Sequence, residues 1–89
     1  MPTYELLFHN SWHGYFGKLD PSVRKRLFKR VLKLQGEQSA RHLKHGLPHF
    51  VVEAGQYRIC FTRNELRREV KLFFVGTHKD YEKWLREKA

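Results

Sequence analysis

The 89-residue sequence has a single cysteine and a single methionine. One thiol excludes an internal disulfide and cannot build a thiolate metal site. Cys60 therefore reads as a buried, inert side chain in a reducing compartment, and the expected location is the cytoplasm. Long apolar runs are missing too, so neither a signal peptide nor a membrane partner is expected. No repeat, low-complexity tract or linker divides the chain, and residues 1–89 are expected to form one domain. At this length about two thirds of the unfolded surface can be buried, enough for one modest core. Acid is scarce: nine Asp and Glu face eighteen Lys and Arg, a formal net charge of +9. Such a field draws polyanions, nucleic acid first among them, although an anionic membrane or an acidic protein would also fit.

What is present is a run of strand signals from Phe50 to Tyr81. Phe50–Val52, Tyr57–Phe61 and Val70–Val75 are rich in β-branched and aromatic residues. Ala54-Gly55-Gln56 and the polar run Asn64–Arg68 separate them, which predicts three antiparallel strands. In the middle one Tyr57, Ile59 and Phe61 share a face, and Arg58, Cys60 and Thr62 share the other. In the last, Val70, Leu72 and Phe74 alternate with Lys71, Phe73 and Val75; apolar on both sides, it is expected to be central.

Upstream, Tyr4–Phe8 predicts a first strand. Trp12, Tyr15, Phe16 and Leu19 then follow helical spacing, with Asn10 or Ser11 as the cap. Asp20-Pro21 starts a second helix, with Val23, Leu27, Val31 and Leu34 as its inner stripe and Gly36 at its end. Its outer face carries Arg24, Lys25, Arg26, Lys29, Arg30 and Lys33, with no acid from Val23 to Gln35. Residues 38–46 read as a loop with helical pieces. Thr77 with Asp80 three residues on predicts a capped third helix, and Trp84 and Leu85 continue its apolar stripe. The predicted order is β-α-α-β-β-β-α. It describes an α+β fold: a mostly antiparallel four-stranded sheet with the helices on one face.

On that plan Arg58 points to the open face, and His78 and Tyr81 follow the last strand. A guanidinium fork matches a phosphate, a helix N-terminus favours an anion, and a tyrosine can donate a proton or stack on a base. Cleaving RNA through its own 2′-hydroxyl needs a base, an acid and cations around the phosphorus, and no metal or other cofactor. The bland alternative stands level with it: Arg58 pairs with Glu53 or Glu69, and His78 only caps a helix. His42, His45 and His49 cluster, and His9 and His13 are spaced i, i+4, as metal ligands can be. With no HExxH and a lone cysteine, no metal is expected. His45 and His49 are read instead as lining an RNA path. The cations of the second helix are either a solvated surface or a stripe that docks on structured RNA.

Leu43–Pro48 (LKHGLP), Gly55–Phe61 (GQYRICF) and Phe73–Tyr81 (FFVGTHKDY), in this order and spacing, resemble the RelE/ParE superfamily of toxins from type II toxin–antitoxin modules. Leu43-Lys44-His45 is similar to the YoeB branch and Thr77–Tyr81 to the HigB branch. The resemblance implies a microbial RNase-like sheet, a metal-independent endoribonuclease cutting mRNA on the ribosome, and a cognate antitoxin that wraps the fold. It implies a phosphate-stabilising role for Arg58, acid or phosphate chemistry for His78, substrate orientation by Tyr81, and basic or general-base roles around Lys44, His45 and His49. Arg41, Lys44, Lys79, Arg24, Lys25 and Lys29 are the cations expected to meet RNA. The chain departs from the family at two points: Arg41 stands near the glutamate base of the YoeB branch, and Phe50–Val52 lacks the paired lysines of RelE. The base is thus open among His45, His49, Glu53 and His78. Two other readings use the same fold: a ParE-like inhibitor of DNA gyrase that cuts nothing, and an inactive relative that binds antitoxin or RNA.

Overall fold

A computed structural model describes residues 3–36, 41–42 and 49–88; for residues 41, 42 and 88 it describes the backbone. In chain order these residues form β1 (Glu5–Phe8), α1 (Asn10–Gly17), α2 (Pro21–Leu32), a 3₁₀ turn (Lys33–Gln35), β2 (Arg41–His42), β3 (Phe50–Ala54), β4 (Tyr57–Asn64), β5 (Glu69–Thr77) and α3 (His78–Lys88). The sheet order is β1-β5-β4-β3-β2. β1 runs parallel to β5 and the other pairs are antiparallel. The expected four strands and three helices are all present, with β5 interior. The two-residue β2 is an addition within the segment expected to be a loop, where it pairs with Phe50 and Val51.

The helices begin and end for local reasons. The cap of α1 is His9 rather than Asn10 or Ser11: its ring nitrogen Nδ1 accepts the Ser11 backbone N–H at 3.2 Å. That leaves the Ser11 hydroxyl to donate to the Phe73 carbonyl at 2.9 Å, just where β1 has ended and β5 has lost its neighbour. α2 begins where Asp20-Pro21 predicts, and the Asp20 carbonyl accepts the Arg24 N–H at 2.9 Å. The helix stops at Leu32. One 3₁₀ turn then carries the chain to Gly36 and sinks Leu34 into the core. Gln35 ties that turn back to the strand entry, exchanging two hydrogen bonds with the Tyr4 backbone.

Two cores result, one on each side of the sheet. The larger lies under α1 and α2: Trp12, Leu27, Val31 and Leu34 meet Val52, Tyr57, Ile59, Phe61, Val70, Leu72 and Val75. The smaller lies under α3, where Trp84 covers Val51, Cys60 and Phe74. The two N-terminal helices share one face, as expected, but α3 takes the other, so the helices are not all on one side. The alternation expected along β5 is also corrected. Cys60 pairs with Phe74 and Phe61 with Leu72, so Phe73 is an extra residue that β4 does not match. Such a bulge puts two successive side chains on one side. Phe73 and Phe74 both turn toward α3, and Val75 joins Val70 and Leu72 in the larger core.

Burying large apolar side chains contributes about 1.5–3 kcal/mol each, so the Trp84 contact is a substantial part of what holds α3 down. Burial also pushes the Cys60 thiol far above its usual range, consistent with an inert side chain. α3 follows β5 with no intervening loop, and the turn is sharp enough to need Gly76. A Cβ there would lie 2.8 Å from Phe74 Cζ and 3.2 Å from Asp80 Cβ. Gly76→Ala is expected to lower stability in urea by about 1–3 kcal/mol through this clash. Gly14→Ala, where a Cβ meets nothing within 4 Å, should instead raise it by about 1 kcal/mol through helix propensity.

Candidate active site at the β3–β4 turn

Arg58 lies on β4 one residue past the turn, which Gly55 makes possible by adopting φ +64°. Its cross-strand partners are Glu53 on β3 and Gly76 on β5. Its side chain is 17% exposed. It does not stand on an open face, because α3 packs on that side. The guanidinium is held by its own hairpin. Nη1 donates to the carbonyls of Gly55 at 3.3 Å and Tyr57 at 3.1 Å, and Nε sits 3.8 Å from a Glu53 carboxylate oxygen. The pairing with Glu53 envisaged from sequence is present, at a length that makes it a loose ion pair rather than a tight fork.

His78 is the first residue of α3. Its backbone N–H donates to Gln56 O at 3.1 Å, so the helix starts against the same turn that carries Arg58. Thr77 Oγ1 accepts the Asp80 N–H at 3.3 Å, the capping bond expected from the Thr77 to Asp80 spacing. The His78 side chain is 56% exposed, and its Nε2 lies 3.1 Å from Glu82 Oε2 one helical turn on. Tyr81 is half-buried, its ring 6.3 Å from His78 and 6.4 Å from Phe74. Arg58, His78 and Tyr81 thus gather at one end of the sheet, though no hydrogen bond joins them among the described residues.

His49 lies elsewhere. Its ring stands edge-on to Phe73 at 4.9 Å and to Trp84 at 5.3 Å, while His9 covers Phe73 at 4.7 Å. Rings run from His9 through Phe73, His49, Trp84 and Phe74 to Tyr81 and His78, but Trp84 and Phe74 in the middle are buried. Lys44 and His45 lie outside the described residues. Arg41 contributes its backbone to β2, opposite Val51. Lys79 is exposed beside His78; Lys25 and Lys29 are exposed on α2, and Arg24 is half-buried there.

Glu82 escaped the sequence reading. The His78-x-x-x-Glu82 spacing is the signal that finds it, since i and i+4 meet on a helix. Beside the site, α1 and α3 enclose a groove of about 410 Å³ lined by Tyr15, Lys18, Phe74, Asp80, Lys83 and Glu87 among others. Burial, and then the Glu87 charge, push the Tyr15 phenol above its usual range. Among the described residues no three His, Cys, Asp or Glu side chains come close enough to hold a metal. None of the described helices is long and apolar enough to cross a membrane.

The arrangement of this sheet and these helices is matched among solved structures. A doubly substituted Escherichia coli RelE toxin in its free state superposes with a TM-score of 0.74 at 20% identity, covering 92% of this chain and 90% of that one. The fold is that of RelE toxins. The Mycobacterium tuberculosis RelBE2 toxin–antitoxin complex gives 0.72 at 18% identity, over 88% of this chain and 94% of that one. The Methanococcus jannaschii RelB–RelE complex gives 0.68 at 15%, over 88% and 96%. No protein-family model and no curated protein matches the chain at the sequence level.

The start of α3 rests on Thr77, so Thr77→Ala is expected to cost about 1 kcal/mol in denaturant unfolding, as loss of an N-cap does. Thr77→Ser should restore most of it.

Proposed function

We propose that this chain is a RelE-like toxin, an mRNA endoribonuclease that acts on the ribosome without a metal and is silenced by a cognate antitoxin. The observation that carries this reading is the convergence at the β3–β4 turn. Arg58 is steadied by two carbonyls and Glu53, while the first residue of α3, His78, is tied to Gln56 of the same turn. A cation fixed by its own scaffold needs no reorganisation when charge develops on a phosphorane, which is where such a group acts most strongly.

In this reading the substrate's 2′-hydroxyl attacks the neighbouring phosphorus and loses its proton to a base. The P–O5′ bond breaks, and the departing oxygen takes a proton from an acid. The products are a 2′,3′-cyclic phosphate and a 5′-hydroxyl. Arg58 neutralises the equatorial oxygens. His78, exposed and paired with Glu82, donates the proton in this reading. Glu53, with a carboxylate oxygen 3.8 Å from Arg58 Nε, serves as the base. Tyr81 orients the scissile nucleotide, and Lys79 and the α2 cations Arg24, Lys25 and Lys29 meet RNA. His49, Lys44, His45 and Arg41 precede β3 in the sequence and serve the RNA path rather than the bond that breaks. The antitoxin partner is proposed by analogy with neighbours that are themselves toxin–antitoxin complexes.

Primer extension on a cellular mRNA after induced expression tests the reading. Cuts inside translated codons are expected. On programmed ribosomes Arg58→Ala should lose about 10²–10³ in rate, as removal of one charge-stabilising group does. His78→Ala should lose about 10²–10⁴, the range for a general acid. Growth arrest with intact mRNA would sink the nuclease and move the target to a protein such as gyrase.

A further inference from the structure

The β3–β4 turn has a second side. Across it from Arg58, α2 and the hairpin enclose a groove of about 420 Å³ lined by Arg26, Leu27, Arg30, Ala54 and Gly55. Arg26 and Arg30 stand one helical turn apart on the same line of α2, so both forks border one opening. The Arg26 guanidinium carbon lies 6.0 Å from the centre of the Tyr57 ring. Leu27 and Ala54 contribute apolar surface, and Gly55 contributes backbone alone, with open space where a Cβ would stand. Among the described residues no carboxylate lines this groove, and neither arginine pairs with one.

The other charged surfaces compare poorly. The α1–α3 groove sets Lys18 and Lys83 against Asp80 and Glu87. At the far end of β4, Arg63 is committed to Glu65 at 2.8 Å and to the Phe50 ring at 4.8 Å, and Arg68 donates to the Tyr4 hydroxyl at 3.4 Å. Lys25 and Lys29 follow a different line of α2, about 100° round the helix from Arg26 and Arg30.

We propose that Arg26 and Arg30 form a phosphate subsite for the RNA strand as it leaves the cleavage site, so that the strand passes over the Gly55–Tyr57 turn between Arg58 and α2. The turn is shared by both sites: the carbonyls of Gly55 and Tyr57 hold Arg58, while Gly55 lines the groove and the Tyr57 ring lies under Arg26. A strand whose phosphate is engaged by Arg58 has uncompensated cations immediately beyond the turn. The strand's course rests on the nuclease reading, but the binding it predicts is measured without cleavage.

The experiment is fluorescence anisotropy with a short 2′-O-methyl oligoribonucleotide, which cannot be cut through its blocked hydroxyl, over a salt series. Each phosphate contact on a single strand contributes about 0.7 to the slope of log affinity against log salt. Arg26→Ala/Arg30→Ala is therefore expected to lower the slope by about 1.4, twice that single-contact value. Arg67→Ala/Lys71→Ala removes the same charge from exposed residues at the far end of β4 and β5, and should change the slope by clearly less. Arg26→Lys/Arg30→Lys should keep most of the slope, which separates lost charge from lost fold. Equal losses in the two alanine pairs would reduce the groove to part of a general basic field and overturn the proposal. So would a wild-type slope in the arginine pair, or no binding by the wild type. Codon cuts on ribosomes report on the nuclease separately, so either reading can fail alone.

Discussion

The extra residue in β5 is the constraint on which the rest of the molecule depends. An interior strand with apolar residues on both sides can serve two cores, but strict alternation would send Phe74 toward α2. The unmatched Phe73 breaks the alternation after Leu72 and delivers two aromatic rings to the α3 side. Phe74 stacks on Trp84 at 5.2 Å, and this contact anchors a helix whose other side is mostly polar and exposed. The bulge has its own support. The Phe73 carbonyl, beyond the reach of β1, takes the Ser11 hydroxyl, and the Phe73 ring lies between His9 and His49. Seating α3 on this side in turn fixes where its first residue falls, at the β3–β4 turn beside Arg58.

The two ends of β4 use arginine in opposite ways. At the far end Arg63, Arg68, Tyr4 and Glu65 form a closed cluster. The Tyr4 hydroxyl donates to Glu65, and that bond, with Arg63 and Arg68 near by, holds the Glu65 carboxyl below its usual range. Such groups satisfy one another and leave little for a ligand. At the turn end, Arg58 spends Nη1 on backbone carbonyls and keeps only a loose carboxylate, while Arg26 and Arg30 pair with no acid among the described residues. A net charge of +9 does not say where a polyanion lands. The distribution of partners does show that, of these arginines, the ones without a tight carboxylate lie at the turn end.

Much of the plan was legible because it rests on short-range physics. The Asp20-Pro21 start, the Gly55 turn, the alternation of Tyr57, Ile59 and Phe61 and the Thr77 cap each follow from a few neighbouring residues, and each stands in the structure. The misreadings share a different cause. Whether β5 carries a bulge, and which face α3 covers, depend on partners far away in sequence. Phe73-Phe74 is equally compatible with regular alternation until Cys60 and Leu72 set the register. His9 as a cap was hidden because the preference for Asn and Ser is a tendency, and here Ser11 was needed by Phe73 instead. For the site, sequence placed Arg58 and His78 near one another through the hairpin but pictured an exposed arginine.

That difference bears on what Arg58 can do. An arginine on an open sheet would be fully hydrated, and water would screen its field. With α3 on the same face, the guanidinium is mostly covered yet still reachable, and the Gly55 and Tyr57 carbonyls orient its planar group. The loose Glu53 contact matters for the same reason. A tight bidentate pair would have to be broken to admit a phosphate, at the cost of leaving a carboxylate unpaired. At 3.8 Å, with Glu53 itself 51% exposed, little would be lost were the arginine to turn to an anion. The pairing of an oriented cation with a neighbouring carboxylate follows from the β3–β4 register, which sets Arg58 opposite Glu53. In the nuclease proposed above, the hairpin would supply the cation and the base, and α3 the acid.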